Sequence, residues 1–280
     1  AGSSMVIPVM GLPAAPTEFD MQVEGPVQAA LQVLNRPPIR ALERANLPEA
    51  LAEGQAEIAG RLFVPLAPPI APESISYVFG ATLRDLRSDV LVPGRTFSGD
   101  RIQLTATQEG LAIDGQVQID GVPMTGGFRK SFAPGTPGIV EADLEISQRF
   151  LDAFGIALPR GIVQGQGMGA LTLTLAQGAP PDFALRSTLQ GVTLSVPWIG
   201  WEKPPTEAGA FEVAGRLGDV PRIDRLSLSA GGLEARGRVE LGEGGAFRAA
   251  RFERLTVGGL GWMPRSPSSP GGQAYRSGWT

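Results

Sequence analysis

The 280 residues include no histidine and no cysteine. Disulfides, zinc or copper held by imidazole or thiolate, and every Ser-His-Asp or Cys-His catalytic unit are therefore excluded. The two lysines, Lys130 and Lys203, each lack a serine three residues upstream, so an S-x-x-K nucleophile is absent as well. What remains for chemistry is carboxylates, arginines and glycines. Glu141, Asp143 and Glu145 alternate along one strand face, where they could bind calcium or act as acid and base. The commoner meaning of such a ladder is a solvated sheet face. Asp114 and Asp120 read the same way, although a carbohydrate-acting β protein would use Asp114, Asp120 and Glu141 as paired carboxylates in a cleft. Residues 216–254 hold eight arginines against six acids, which suits either lipid phosphates or an ordinary charged surface. Gly165-Gln-Gly167-Met-Gly169-Ala170 has dinucleotide-fingerprint spacing. That fingerprint needs a helix after it, and a strand-like run follows instead, so the glycines read as a turn where backbones approach. In Pro197-Trp198-Ile199-Gly200-Trp201, the two indoles either line a mouth or plug a core.

The elements that must position these residues are strands. Leu171-Thr-Leu173-Thr-Leu175 alternates oily and wet, as do Ile102-Gln-Leu104-Thr-Ala106 and Leu111-Ala-Ile113-Asp-Gly115-Gln-Val117-Gln-Ile119. The same holds for Val140 to Ile146, Leu226-Ser-Leu228-Ser, and Leu233 through Val239 to Leu241. Val27-Gln-Ala29-Ala-Leu31-Gln-Val33 fits the pattern too and is expected to be a strand. One oily and one wet face is the mark of antiparallel sheet solvated on one side. Asp120-Gly121, Ala230-Gly231-Gly232, Gln108-Glu109-Gly110 and Gly242 to Gly245 mark turns. Ser147 to Phe154 predicts a short helix with Ser147 as N-cap and Gly155 as its stop, and Pro38 to Ala45 predicts a second.

Composition agrees. There are 38 glycines and 25 prolines, about a fifth of the chain, beside 42% hydrophobic residues, which fits an all-β chain with many turns. A net charge of −4 excludes a body whose whole surface is a nucleic-acid footprint. No run approaches the ~20 apolar residues of a spanning helix. Val6 to Pro16 is apolar but short and proline-broken. The opening Ala1-Gly2-Ser3-Ser4-Met5 reads as a junction inside a longer protein, and the tail from Arg265 as disordered.

The two halves resemble each other at a spacing of roughly ~110 to 120 residues. Leu104 to Gly115 aligns with Leu226 to Gly237, and Val78 to Gly94 with Leu185 to Gly200. Leu47-Pro48 with Gly54-Gln55 aligns with Leu158-Pro159 with Gly165-Gln166. The expected organisation is a junction at 1–18, repeats at 19–130 and 131–258, and a tail at 259–280. Stacked repeats extend one sheet. Alternation alone fits both a closed sandwich and an open trough.

Phe154-Gly-Ile-Ala-Leu158-Pro159, Gly161-Ile-Val-Gln-Gly165-Gln-Gly167 and Leu171 to Leu175 resemble the AsmA-like superfamily, nearest its YhdP branch. So do Leu189-Gln-Gly191-Val-Thr-Leu194-Ser-Val196-Pro197, Gly200-Trp201-Glu-Lys203-Pro and Gly209-Ala-Phe211-Glu-Val-Ala-Gly215. The resemblance covers most of residues 19 to 258. It implies a mainly β fold, a long curved antiparallel sheet forming an open apolar groove (a β-taco) with short edge helices. It further implies a section of a non-enzymatic periplasmic protein, anchored in the inner membrane by a segment missing from this chain. Such a protein would convey phospholipid or another acylated lipid towards the outer membrane. Partners would be that lipid and inner- and outer-membrane proteins, without nucleic acid, cofactor or metal. The groove lining would be Leu31, Val33, Ile102, Leu104, Leu111, Ile113, Val117, Ile119, Leu144 and Ile146 in the first stretch. It would continue with Leu171, Leu173, Leu175, Leu194, Val196, Leu226, Leu228, Val239 and Leu241. Hydrating a tail costs about 0.8 kcal/mol per methylene, on the order of 12 kcal/mol for a ~15-methylene chain, and an apolar trough removes most of that. The alternative is a non-catalytic adaptor of outer-membrane biogenesis with a closed β core.

Overall fold

The computed structural model describes residues 2–6, 16–37, 40–65, 74–156, 158–159, 161–218, 220–242, 247–258 and 260–262. The sequence is dominated by period-two alternation, and the fold is mainly β: among the described residues, one antiparallel sheet of seventeen strands, not closed into a barrel, with three short helices. The first half runs β1 (Ser4–Val6), β2 (Pro16–Pro26), α1 (Val27–Leu34), α2 (Ala41–Ala45), β3 (Glu53–Pro65), β4 (Ser76–Val92), β5 (Arg95–Thr107), β6 (Gly110–Ile119) and β7 (Val122–Ser131). The second runs β8 (Gly138–Ser147), α3 (Gln148–Ala153), β9 (Val163–Leu175), β10 (Asp182–Ser187), β11 (Val192–Val196), β12 (Trp201–Lys203), β13 (Ala210–Arg216), β14 (Arg222–Ala230), β15 (Leu233–Leu241), β16 (Phe247–Val257) and β17 (Leu260–Trp262). The short strands β1 and β17 fall in the segments read from sequence as junction and tail.

From β1 to β9 each strand pairs with the next. β9 then has two partners on its far side. Residues 169–174 pair with β10, and residues 163–165 with β11. β10 leads to β13, β11 pairs with β12, and the meander resumes to β17. By element order β2 to β7 has a counterpart in β8 to β15, a correspondence one strand out of step with the sequence alignment of Leu104 to Gly115 (β5 and β6) with Leu226 to Gly237 (β14 and β15). The long β4–β5 hairpin of the first copy becomes two short pairs in the second, β10–β13 and β11–β12, separated by residues 188–191 and 204–209. Asp120 and Gly121 (φ 49° and 77°) and Gly231 and Gly232 (φ 55° and 74°) both make the two-residue turns whose twist matches the strands they join. Residues 243–246 and 263–280 lie outside the described residues.

One expected strand is a helix. Val27 to Val33 belongs to α1. Pro26 ends the ladder by removing a backbone donor, and Val27, Leu31 and Leu34 recur at helical spacing over the same eight residues. Leu31 packs against Val27, Ala56, Leu86 and Ile102, whereas Val33 points to solvent, 57% exposed. Neither residue is on a strand. α3 begins where Ser147 Oγ accepts from the Phe150 N–H at 3.4 Å and ends at Gly155, φ 65°. α2 occupies Ala41–Ala45 of the second expected helix.

Three buried clusters sit at one end of the strands. The first lies under α1, around Ala56, Leu86 and Ile102. The second lies under α3, where Phe150 and Leu151 cover Val122, Met124, Leu144 and Ile146. The third packs Trp201 against Ala230 and Leu233. α1 and α3 are thus held by the sheet beneath them, as helices of under three turns must be.

Candidate functional site: the apolar face of the sheet

Residues opposite one another in an antiparallel pair share a face, so register extends the alternation of single strands into rows across the sheet. One row reads Val23, Ile58, Ala81, Leu104, Ile113, Phe128, Val140, Leu173, Phe183, Gly215, Ile223, Val239, Ala250. It crosses thirteen strands without a polar residue, about 58 Å at the usual strand spacing. The row beside it, nearer the helices, runs from Gly25 through Ala56, Leu83, Ile102, Gly115 and Gly126 to Leu171, Leu185, Val213, Leu226 and Phe252. The rows differ in cover. Ala56, Ile102, Leu185 and Val213 of the second are buried. In the first only Ala81 is buried, Val23 is 47% exposed, and the rest are half-buried. The face is closed at its helix end and accessible at the other.

The expected lining residues divide accordingly. Leu104, Leu111, Ile113, Leu171, Leu173, Leu175, Leu226, Leu228, Val239 and Leu241 lie half-buried on this face. Val117 and Ile119 are half-buried toward the capped end, and Ile102, Leu144 and Ile146 are buried there. Leu194 and Val196, on β11, pack beside Trp201. Leu31 caps the face from α1, and Val33 is away from it. Sequence reading missed Ile58, Phe128 and Phe183. Each alternates with polar or small neighbours, but over runs too short or too glycine-rich to stand out, as in Gly126-Gly127-Phe128.

The polar face carries the carboxylates. Asp114 and Glu141 stand opposite Gly127 on either side, in a concavity of about 1040 Å³ over β5 to β8. Arg129 Nη2 donates to Asp114 Oδ1 at 2.7 Å across that glycine, where a Cβ would lie 2.3 Å from the same oxygen. Asp120 is remote from both. Its Oδ1 accepts the Thr96 N–H at 2.9 Å and its Oδ2 accepts from Arg95 at 2.8 Å, which hold its carboxyl below the usual range. The Arg95 guanidinium also donates to the Ala153 carbonyl and lies 4.5 Å from the centre of the Phe154 ring, tying the first copy to α3. These carboxylates are therefore not gathered into one set, and among the described residues no group of acids is placed to hold a metal ion. Gly165, Gly167 and Gly169 lie in β9, where a Cβ at Gly165 would come within 2.4 Å of the Gly191 oxygen, so the dinucleotide spacing serves close backbone approach. Trp201 is buried and donates its indole N–H to the Gly231 carbonyl at 2.8 Å, as a plug. The fully buried Lys203 donates to the carbonyls of Leu189 and Val192 at 2.8 Å and of Pro204 at 3.0 Å, and burial pushes its ammonium below the ordinary range.

Comparison with protein-family models, with curated proteins and with solved structures finds no match for this chain.

Proposed function

We propose that this chain is a section of a lipid-conveying protein that receives acyl chains along its apolar face, with no catalytic step. The observation that carries the reading is the row from Val23 to Ala250, unbroken by polar side chains and, apart from the buried Ala81, half-buried or exposed. Exposed apolar patches of monomeric proteins seldom exceed a few hundred Å², and larger ones mark partners, ligands or membranes. Hydrocarbon fits because the row offers no donors or acceptors, and because its width of one or two side chains suits a tail better than a folded domain. The polar face and the uncapped rim would keep a headgroup in water. The AsmA-like resemblance, with its periplasmic setting and inner-membrane anchor, belongs to the same proposal. Phospholipid or another acylated envelope lipid is the cargo it names.

Native mass spectrometry of the purified chain, with organic extraction of the same sample, tests this. Co-purifying phospholipid or lipoprotein-type acyl species is the expected result. Lipid-free protein from every preparation, with no uptake of a deuterated phospholipid from vesicles, would leave the adaptor with a closed core as the better account.

A further inference from the structure

On the face opposite the apolar row, β15 and β16 set arginines against arginines. Arg236 stands directly across from Arg254, and Arg238 directly across from Arg251. Opposed residues in a ladder are about 5 Å apart and same-face neighbours about 7 Å, so four guanidinium stems rise from one small block. All four residues are exposed. Within the block Arg251 pairs with Glu240 at 2.8 Å, and nearby Arg222 pairs with Asp224 at 3.0 Å and Arg225 with Glu212 at 3.4 Å. Arg236, Arg238 and Arg254 make no ion pair or side-chain hydrogen bond among the described residues, although Glu234 lies two positions from Arg236. Like charges placed opposite in a ladder destabilise it. In a chain whose net charge is −4, that cost falls at one place.

We propose that this block docks on a surface of anionic phospholipid headgroups. Guanidinium groups bind phosphate oxygens two at a time, and a layer of phosphates meets several of them at once. The block is an exposed strand face, not a cradle closed around one ion. The proposal is independent of the apolar row, which lies on the other side of the sheet. It makes β15–β16 the part of the chain that stands against a membrane.

The test is co-sedimentation of the full chain with phosphatidylcholine vesicles and with vesicles carrying about 30% phosphatidylglycerol, at about 0.1 M and about 0.5 M salt. Binding to the anionic vesicles alone, lost at high salt, is expected. Arg236→Gln with Arg254→Gln should weaken it about thirtyfold, while Arg36→Gln with Arg87→Gln, the same charge change elsewhere, should leave it within about twofold. The first double variant should melt no lower than the parent, because it removes an opposed like-charge pair, and Arg238→Gln alone should weaken binding in the same direction. Equal binding to both vesicle types, no binding to either, or equal loss in the two double variants would overturn the proposal. So would abolition by millimolar inorganic phosphate, which would assign a discrete ion site. Salt-sensitive self-association in place of vesicle binding would assign the partner as a second copy of this chain and would overturn it as well.

Discussion

Lys203 donates from its ammonium to the carbonyl of Leu189 at 2.8 Å, across the gap where the long hairpin of the first copy is broken in the second. Leu189 sits at φ 55° in residues 188–191, between β10 and β11, so the local ladder is lost. The ammonium, which also reaches Val192 and Pro204, replaces the missing donors. Lys203→Met would remove this donor from the carbonyls of Val192 and Pro204 in a buried site, while the Leu189 carbonyl would keep the Val192 N–H at 3.2 Å. We expect a loss of about 3 kcal/mol in urea unfolding. A change below about 0.5 kcal/mol would show that water serves equally well. Because burial lowers the folded pKa beneath the ordinary 10.5, the unfolded chain holds the extra proton between the two values. Stability therefore rises with pH up to about 10.5 on this account, and the methionine variant loses that limb.

Leu31 and Val33 separate the helix from the strand it resembles. Leu31→Asp should cost about 3 kcal/mol because it puts a carboxylate against Ala56 and Ile102, while Val33→Asp should stay within about 0.5 kcal/mol. Thermal melts of the two variants give the answer, and equal losses would argue against α1.

Leu173 and Thr172 test the trough by parity. Leu173 lies in the half-buried row, and Thr172 points to the wet face. Leu173→Asp or Leu228→Asp should abolish retention of co-purified or vesicle-derived lipid, measured by mass spectrometry, and Thr172→Asp should leave it intact. Loss in all three would refute the assignment of faces.

Asp120 governs an acid limb. Its carboxylate accepts the Thr96 N–H and pairs with Arg95, so its folded pKa lies below the ordinary 3.8. The stability it contributes is present above about 3.8 and lost as pH falls through the folded value. Asp120→Asn keeps the left-handed turn residue, φ 49°, and should flatten the fall in melting temperature on acidification. An unchanged acid profile would remove Asp120 from the account.

The strand faces were legible because a period of two admits one assignment per strand. Ile102 and Leu104, or Leu111 and Ile113, had to share a side whatever the sheet did around them. Val27 to Val33 was not legible, since eight residues carrying Val27, Leu31 and Leu34 satisfy both periods and the stop at Pro26 decides. Lys203 gave no signal. Its role exists only because Leu189 breaks the hairpin, and an isolated lysine in sequence carries no trace of a missing ladder. The opposition of Arg236 to Arg254 depended on a bulge at Glu253 of β16, and register shifts of that kind are not written in the alternation of either strand. Which part of the oily face is covered depended on where the short helices land, and alternation does not encode that.

Among the described residues the sheet's two margins are barely covered: β1 pairs only with residues 18–20 of β2, and β17 only with residues 255–257 of β16. The oily row runs to both margins, ending at Val23 and Ala250. A fold of this kind has no intrinsic length. Each added copy of six strands would lengthen the track by about 29 Å without altering its cross-section. The length of the oily row is then set by how many copies are joined, not by any one of them.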